Sequence, residues 1–375
     1  MTREGFWAGI LLLALVATAI PAEQGRAEPI RLDALKIPAV IAGLRGSAPF
    51  ALEAIVLRPD DGLPHPLAVL NHGSPRSADD RPTMSPYGMW AQAMAFARRG
   101  WVAVAFMRRG YGRSEGEWAE AFGSCANPDY AKAGQAAAGD IAAVAQFMAT
   151  QPYVSKGKWI SVGVSAGGFA TVALTANAPP DLAAAISFAP GRGSSGPDTV
   201  CGPRRLVAAF AQYGKTSRTP LLWVSADNDH FFGPQLVAQL TGSFSNAGGH
   251  VAFVRTPSFG SDGHHLFSAG GIPIWSPIVD RFLASNYLVL RERLIDVPTP
   301  NVAVPSVLGS SGRTAFKTFL DSGPNKAFAV SRDAHFGWVS GRRSADDARN
   351  DALGFCVPDG GATCRVVNVN DKPVP

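Results

Sequence analysis

The chain has no long run of basic residues. Its 34 Lys and Arg against 29 Asp and Glu give a formal net charge of +5, but the cations fall in short pairs such as Arg98-Arg99, Arg108-Arg109 and Arg204-Arg205. This spacing argues against a nucleic-acid footprint and leaves the excess as an aid to solubility. Charged residues are scarce at 17%, whereas apolar residues make up 46%, so a sizeable core is available and wholesale disorder is excluded. Beyond the N-terminus no apolar run is long enough to span a bilayer. Internal repeats are missing. So are Cys-x-x-Cys, paired Cys/His and His-x-x-x-His spacings, so no metal centre is indicated and no cofactor is implied.

What is present begins with a targeting segment. Arg3 precedes an uncharged apolar stretch from Phe6 to Ile20, closed by Pro21, and Gly25-Arg26-Ala27 offers a cleavage site. The stretch has the length of a signal-peptide core, and Glu4, which dilutes the positive start, leaves an uncleaved anchor as the alternative. Residues 1–27 are therefore expected to be a signal peptide, the mature protein periplasmic or secreted, with no stable membrane span after cleavage. Export permits disulfides. The chain has four cysteines. Cys356 and Cys364 lie close in sequence and are expected to pair, which leaves Cys125 with Cys201 by elimination. The shorter bridge would stabilise by about 2–3 kcal/mol in the chain-entropy model.

The 375 residues suffice for one large domain and a small one. From Ala51 onward, apolar runs alternate with helical patterns. Strands are predicted over 51–57, 67–70, 101–106, 159–164, 184–188, 221–224 and 250–254. Helices are predicted over 92–99, 136–150, 167–177, 235–240 and 278–290. Buried strands alternating with helices imply an α/β fold with a mostly parallel sheet covered on both faces. Residues 296–311, rich in Pro, Val and Ser, read as a linker between a domain over 28–295 and a small C-terminal α+β module over 312–375.

Gly163-Val164-Ser165-Ala166-Gly167 is a G-x-S-x-G nucleophile elbow, with an apolar strand leading in and a helical pattern leading out. Such a turn is sharp and strained, so its glycines stand where a Cβ would clash, and the following helix N-terminus offers N–H groups to a developing oxyanion. A serine hydroxyl needs a base oriented by a carboxylate, and in this arrangement the chain order is Ser, acid, His. Asp227 and Asp229 follow the 221–224 strand. His264 and His265 sit together in a loop after the next strand. Ala166 is expected to supply one oxyanion N–H.

These motifs, together with Asn71-His72-Gly73-Ser74-Pro75, Arg108-Arg109-Gly110-Tyr111-Gly112-Arg113-Ser114 and Asp262-Gly263-His264, resemble the dienelactone-hydrolase-like and prolyl-oligopeptidase-like branch of the α/β-hydrolase superfamily over about residues 51–290. The resemblance implies an eight-stranded sheet and hydrolysis of an ester or similar acyl bond in a small-molecule substrate. It favours Asp229, preceded at three positions by the small Ala226, as the acid, and His264 as the base. It also points to the loop after the 67–70 strand for the second oxyanion donor. There Ser74 has an N–H and Pro75 has none, and His72 shapes the loop. Dienelactone hydrolases proper use a cysteine where this chain has Ser165, which argues against dienelactone as substrate. The C-terminal stretch, with Gly337-Trp338 and Cys356 to Cys364, resembles a small domain of unknown function in exported bacterial proteins.

Trp90, Tyr111, Trp118, Phe122, Phe231 and Phe232 are candidates for the pocket rim. Residues 114–133 and 189–201 are candidates for its cover. Competing readings are a peptidase or amidase with the same triad, an inactive hydrolase-fold binding protein, and a metal site built from Asp227, Asp229, His230, His264 and His265. The lack of a propeller-like stretch ahead of the hydrolase domain counts against an oligopeptidase.

Overall fold

A computed structural model describes residues 30–40, 50–357 and 363–374. The expected signal peptide lies outside these residues. The first strands, β1 (Ile30–Ala39) and β2 (Phe50–Pro59), form an antiparallel pair. There follow β3 (Leu67–Asn71), α1 (Trp90–Ala97), β4 (Val102–Phe106), α2 (Tyr130–Met148), β5 (Trp159–Val164), α3 (Ala166–Thr175) and β6 (Leu182–Phe188). A hairpin of β7 (Ser194–Gly196) and β8 (Thr199–Val200) leads into α4 (Pro203–Gly214), β9 (Leu221–Ala226), α5 (Pro234–Asn246), β10 (Val251–Thr256) and α6 (Ile272–Ser285).

Eight strands form one sheet in the order β1-β2-β4-β3-β5-β6-β9-β10. The β1–β2 and β2–β4 pairings are antiparallel and the rest parallel, which is the α/β-hydrolase fold. Because side chains alternate along a strand, each strand feeds two cores. Val69, Val102, Val104 and Phe106 join one core with Ile141, Phe169, Phe210 and Leu240 from α2, α3, α4 and α5. Leu70, Ala103, Ala105, Ile160 and Val162 join the other with Phe96, Trp275 and Phe282 from α1 and α6. The central strands read as unbroken apolar runs because both faces are covered.

The structure adds what periodicity did not reveal. β1 begins ahead of the first predicted strand, and α2 starts six residues earlier, at an N-cap where Asp129 Oδ1 accepts the Lys132 N–H at 3.0 Å. α4 had no predicted counterpart. α6 runs over Ile272–Ser285 rather than 278–290. Pro273 sits in its first turn, where a missing N–H costs nothing, and the left-handed Tyr287 (φ 56°) stops it.

After an irregular stretch, α7 (Ser310–Leu320), β11 (Ala327–Val330), β12 (Phe336–Val339), α8 (Ala345–Cys356), β13 (Arg365–Val369) and β14 (Lys372–Pro373) make a second unit. Its antiparallel sheet has the order β12-β11-β13-β14. α7 begins inside the stretch read as linker. Phe316 and Phe319 of α7 pack on Phe328 on one face, and Ala348 and Ala352 of α8 pack on Ala327 and Ala329 on the other. A disulfide joins Cys356 to Cys364. The loops that carry the candidate site residues leave the carboxyl ends of β3, β5, β9 and β10, where open α/β sheets bind ligands.

Candidate active site

Ser165 lies between the last residue of β5 and the first of α3, with φ 55° and ψ −122°, a conformation a residue with a Cβ adopts only under constraint. The constraint is visible. Its N–H donates to Phe188 O at 2.9 Å, and its carbonyl accepts from Phe169 N at 2.8 Å and Gly191 N at 3.3 Å. A Cβ on Gly163 would lie 2.2 Å from Gly167 O, and one on Gly167 would lie 2.3 Å and 2.4 Å from the carbonyl oxygens of Asn71 and His72. The two glycines thus press the start of α3 onto β5 and the end of β3. This brings the loop after β3 against the serine.

Beyond β9 the two candidate acids part. Asp227 turns outward and pairs with Arg255 on the exposed surface. Asp229 turns inward and is 2% exposed. Its Oδ1 accepts the N–H groups of Phe231 (2.8 Å) and Phe232 (2.9 Å), and both its oxygens lie 3.1 Å from His264 Nδ1. A carboxylate only accepts, so Nδ1 carries the proton and Nε2 is left as the acceptor. His264 belongs to a single 3₁₀ turn, Gly263–His265, capped by Asp262, whose Oδ1 accepts from His264 N at 2.9 Å and from His230 N at 3.0 Å. Burial alone would raise the Asp262 carboxyl, but these two donors hold it below its usual value. Gly263 approaches Ala226 so closely that a Cβ would come within 2.6 Å of the alanine Cβ, which explains the small residue three positions before Asp229. The His264 ring stacks on Phe231 at 3.9 Å and meets the edge of Phe232 at 5.6 Å.

Ser165, His264, Gly73, Ser74, Met84 and Phe267 line one cavity. The ring bonds of His264 go to Asp229, so the structure brings Ser165 and His264 to a common cleft without a hydrogen bond between them. Apo sites often hold this contact long. His265 is exposed at the mouth of the same cavity.

The loop after β3 rests on a buried ionic cluster. His72 Nδ1 lies 2.5 Å from Gly73 O, and its Nε2 accepts the Arg108 N–H at 3.1 Å. Burial, reinforced by the Arg108 charge, pushes this imidazole down to about 3, so it is neutral with both nitrogens engaged. Arg108 Nη1 donates to His72 O at 2.7 Å and its Nε pairs with Glu120. Arg192 Nη1 donates to the same carboxylate at 2.6 Å, and the Tyr111 hydroxyl lies 3.1 Å from it and 2.9 Å from Ser74 Oγ. Although burial alone would raise Glu120, the Arg108 and Arg192 charges hold it down, at about 2. Glu120 and Arg192 escaped the sequence reading. The available signals were an acid set among Trp118, Ala119, Ala121 and Phe122, and an arginine flanked by Gly191 and Gly193.

A second cavity adjoins Ser165 and Ala166 and is lined by Trp118, Phe122, Arg192, Phe231 and Phe232 among others. Part of its lining comes from residues 114–133 and 189–201 and the rest from the loop after β3, the elbow and Phe231-Phe232; a disulfide between Cys125 and Cys201 ties the first two segments, with 4.7 Å between the Cα atoms. Two rim candidates lie elsewhere. Tyr111 is wholly buried in the ionic cluster, and Trp90 packs on Gly323 of the C-terminal unit. His230 pairs with Asp198, His250 precedes β10 and His335 lies between β11 and β12. Among the described residues no group of three or more His, Cys, Asp or Glu is placed to hold a metal ion, and no helix is long and apolar enough to cross a membrane.

The family model for X-Pro dipeptidyl-peptidases (S15 family) matches residues 50–231, which includes Ser165 and Asp229 but stops short of His264. No curated protein matches the chain in sequence. Among solved structures, an esterase of Pyrococcus furiosus is 14% identical, with 68% of this chain and 90% of that chain covered and a TM-score of 0.48. An acylaminoacyl peptidase of Pyrococcus horikoshii is 17% identical, with 71% of this chain and 43% of that chain covered and a TM-score of 0.48.

Proposed function

We propose that this hydrolase-fold serine hydrolase, a member of the α/β-hydrolase superfamily, is exported and cleaves carboxylic esters through an acyl-enzyme on Ser165. The observation that carries the reading is the buried Asp229–His264 pair opening onto the same cleft as a serine held at a left-handed elbow. His264 Nε2 takes the Ser165 hydroxyl proton as Oγ attacks the acyl carbonyl. Asp229 holds the tautomer and stabilises the imidazolium. The oxyanion is received by the Ala166 N–H, which at the first position of α3 has no intrahelical acceptor, and by the Ser74 N–H. His264 then passes the proton to the leaving alcohol, and water releases the acyl group by the same steps in reverse.

The S15 match favours a second reading, a peptidase using the same residues. Against the dipeptidyl form stands the lining of the two cavities, which contains no carboxylate to pair with a free ammonium terminus. The test is turnover of matched aryl esters and aryl amides by the purified protein. The ester reading expects kcat/KM for esters to exceed that for amides by about 10³ or more, and Ser165→Ala to lose turnover by about 10⁴ or more. Amide turnover equal to ester turnover would replace it with the peptidase reading.

A further inference from the structure

The two cavities that meet at Ser165 differ in chemistry. One contains His264 and His265 but not Ala166, and the other contains Ala166 but neither histidine. His264 must protonate the leaving group, so the alcohol departs through the first and the acyl group occupies the second. Every charged side chain lining the second is an arginine: Arg81 and Arg192, which line it alone, and Arg76, which stands where the two cavities meet and lines both.

Their guanidinium groups are held in a particular way. Arg76 lies over the Phe231 ring at 3.6 Å, with Nε and Nη2 bonded only to a neutral hydroxyl, Ser194 Oγ, and a carbonyl, His230 O. Arg81 lies over the Trp118 ring at 3.8 Å, and its one side-chain hydrogen bond goes to Ala78 O. Stacking occupies the faces of a guanidinium and leaves its in-plane N–H edge for a planar anion. Neither arginine has a carboxylate partner among the described residues. Arg192 is 5% exposed and shares the single carboxylate of Glu120 with Arg108, and its Nε–H, wholly buried, has no acceptor. Besides Glu120, which Arg108 and Arg192 share, no acid among the described residues is engaged by these arginines: Asp198 is taken by His230, and Asp79 and Asp80 sit in the exposed turn before Arg81 without lining the cavity.

We infer that the acyl pocket is an anion subsite, and that the natural substrates are monoesters of dicarboxylic acids whose free carboxylate docks between Arg76, Arg81 and Arg192 while the ester carbonyl meets Ser165. This rests on the serine-hydrolase reading above. The aromatic walls of Trp118, Phe122 and Phe231 cover the chain between the two carbonyl groups.

The test compares p-nitrophenyl monoesters of succinate, glutarate and adipate with their methyl-capped, uncharged counterparts, and with 4-acetoxybenzoate, in which the carboxylate leaves with the alcohol. Fluorophosphonate labelling of the same preparation reports separately whether Ser165 is activated. The expected result is kcat/KM at least about tenfold higher for one of the charged acyl esters than for its capped partner. That ratio should shrink in added salt and fall to threefold or less in Arg76→Gln/Arg81→Gln, one exposed and one half-buried position, both outside the hydrophobic core. A ratio near one in the unaltered protein, or one that the double variant retains, overturns the subsite while leaving the hydrolase reading in place. A preference for 4-acetoxybenzoate overturns the acyl-side assignment. Failure of Ser165 to label overturns the hydrolase reading itself.

Discussion

At the level of single residues, the two aspartates after β9 divide the work. Asp229 is buried against His264 with two backbone donors, whereas Asp227 faces solvent beside Arg255. Asp229→Asn is therefore expected to lower kcat by about 10³-fold or more, because an amide leaves the imidazole in the wrong tautomer. Asp227→Asn should change it by no more than about twofold, and steady-state kinetics on any accepted ester separates the two. His72 gives a pH signature instead. It is neutral when folded and stays so down to about 3, whereas the unfolded chain protonates near 6.5, so the unfolded state binds more protons between those limits. Its contribution is present above the unfolded value and is lost as pH falls from about 6.5 toward 3. Thermal melts of the unaltered protein and of His72→Gln should accordingly converge as the pH drops from 7 to 4. A constant gap would contradict a neutral His72.

At the level of elements, the elbow depends on close approach of backbone to backbone. Gly167→Ala would drive a Cβ into the carbonyls of Asn71 and His72, and destabilisation of about 3 kcal/mol or complete failure to fold is expected, read by denaturant unfolding. This part of the molecule was legible in advance because glycine spacing, an apolar strand and a helix start coincide within a few residues. Asp229 and His264 were reached through motif resemblance, and each leaves the end of a strand the periodicity had revealed. Glu120 and Arg192 were not reached, and Arg108 was reached only as part of a motif, without its role. Arg192 is 72 residues from Glu120, and the meeting of the three depends on how the loops after β4 and β6 fold over the sheet, which no local pattern encodes. α4 is different: its buried residues, Leu206, Ala209, Phe210 and Tyr213, follow the i, i+3, i+4, i+7 spacing of an amphipathic helix with Arg204, Arg205 and Gln212 off that face, so its signal was present in the sequence and was overlooked.

The Cys125–Cys201 bridge acts on two such loops at once. It spans 76 residues, for which the chain-entropy model gives about 4 kcal/mol. The double variant Cys125→Ser/Cys201→Ser should melt earlier and should also change the ratio of turnover on bulky and small acyl esters, since the bridge joins two of the segments that line the cavity beside Ser165 and Ala166. An altered melting temperature with an unaltered ratio would confine the bridge to stability.

For the whole molecule, the C-terminal unit touches the hydrolase domain at the outer wall of the cleft. Arg343 pairs with Glu53 of β2 at 3.1 Å and donates to the carbonyls of Pro82, Thr83 and Met84, and Met84 lines the cavity that holds Ser165 and His264. Asn325 fixes Arg343 in turn by donating to its carbonyl at 3.0 Å. The small unit thus braces the loop that runs from Ser74 to α1. Arg343→Ala is expected to raise KM severalfold with kcat within about twofold, the pattern of lost ground-state positioning. A fall in kcat at constant KM would place the unit's influence on the chemical step instead.

Activation of Ser165 is tested most directly by fluorophosphonate labelling of the purified mature protein with mass mapping of the adduct. The prediction is a single adduct on Ser165 that disappears in His264→Ala while the variant keeps its fold. No adduct on folded protein, or one that survives the loss of His264, would contradict a Ser165–His264–Asp229 hydrolase and leave the cleft as a binding site.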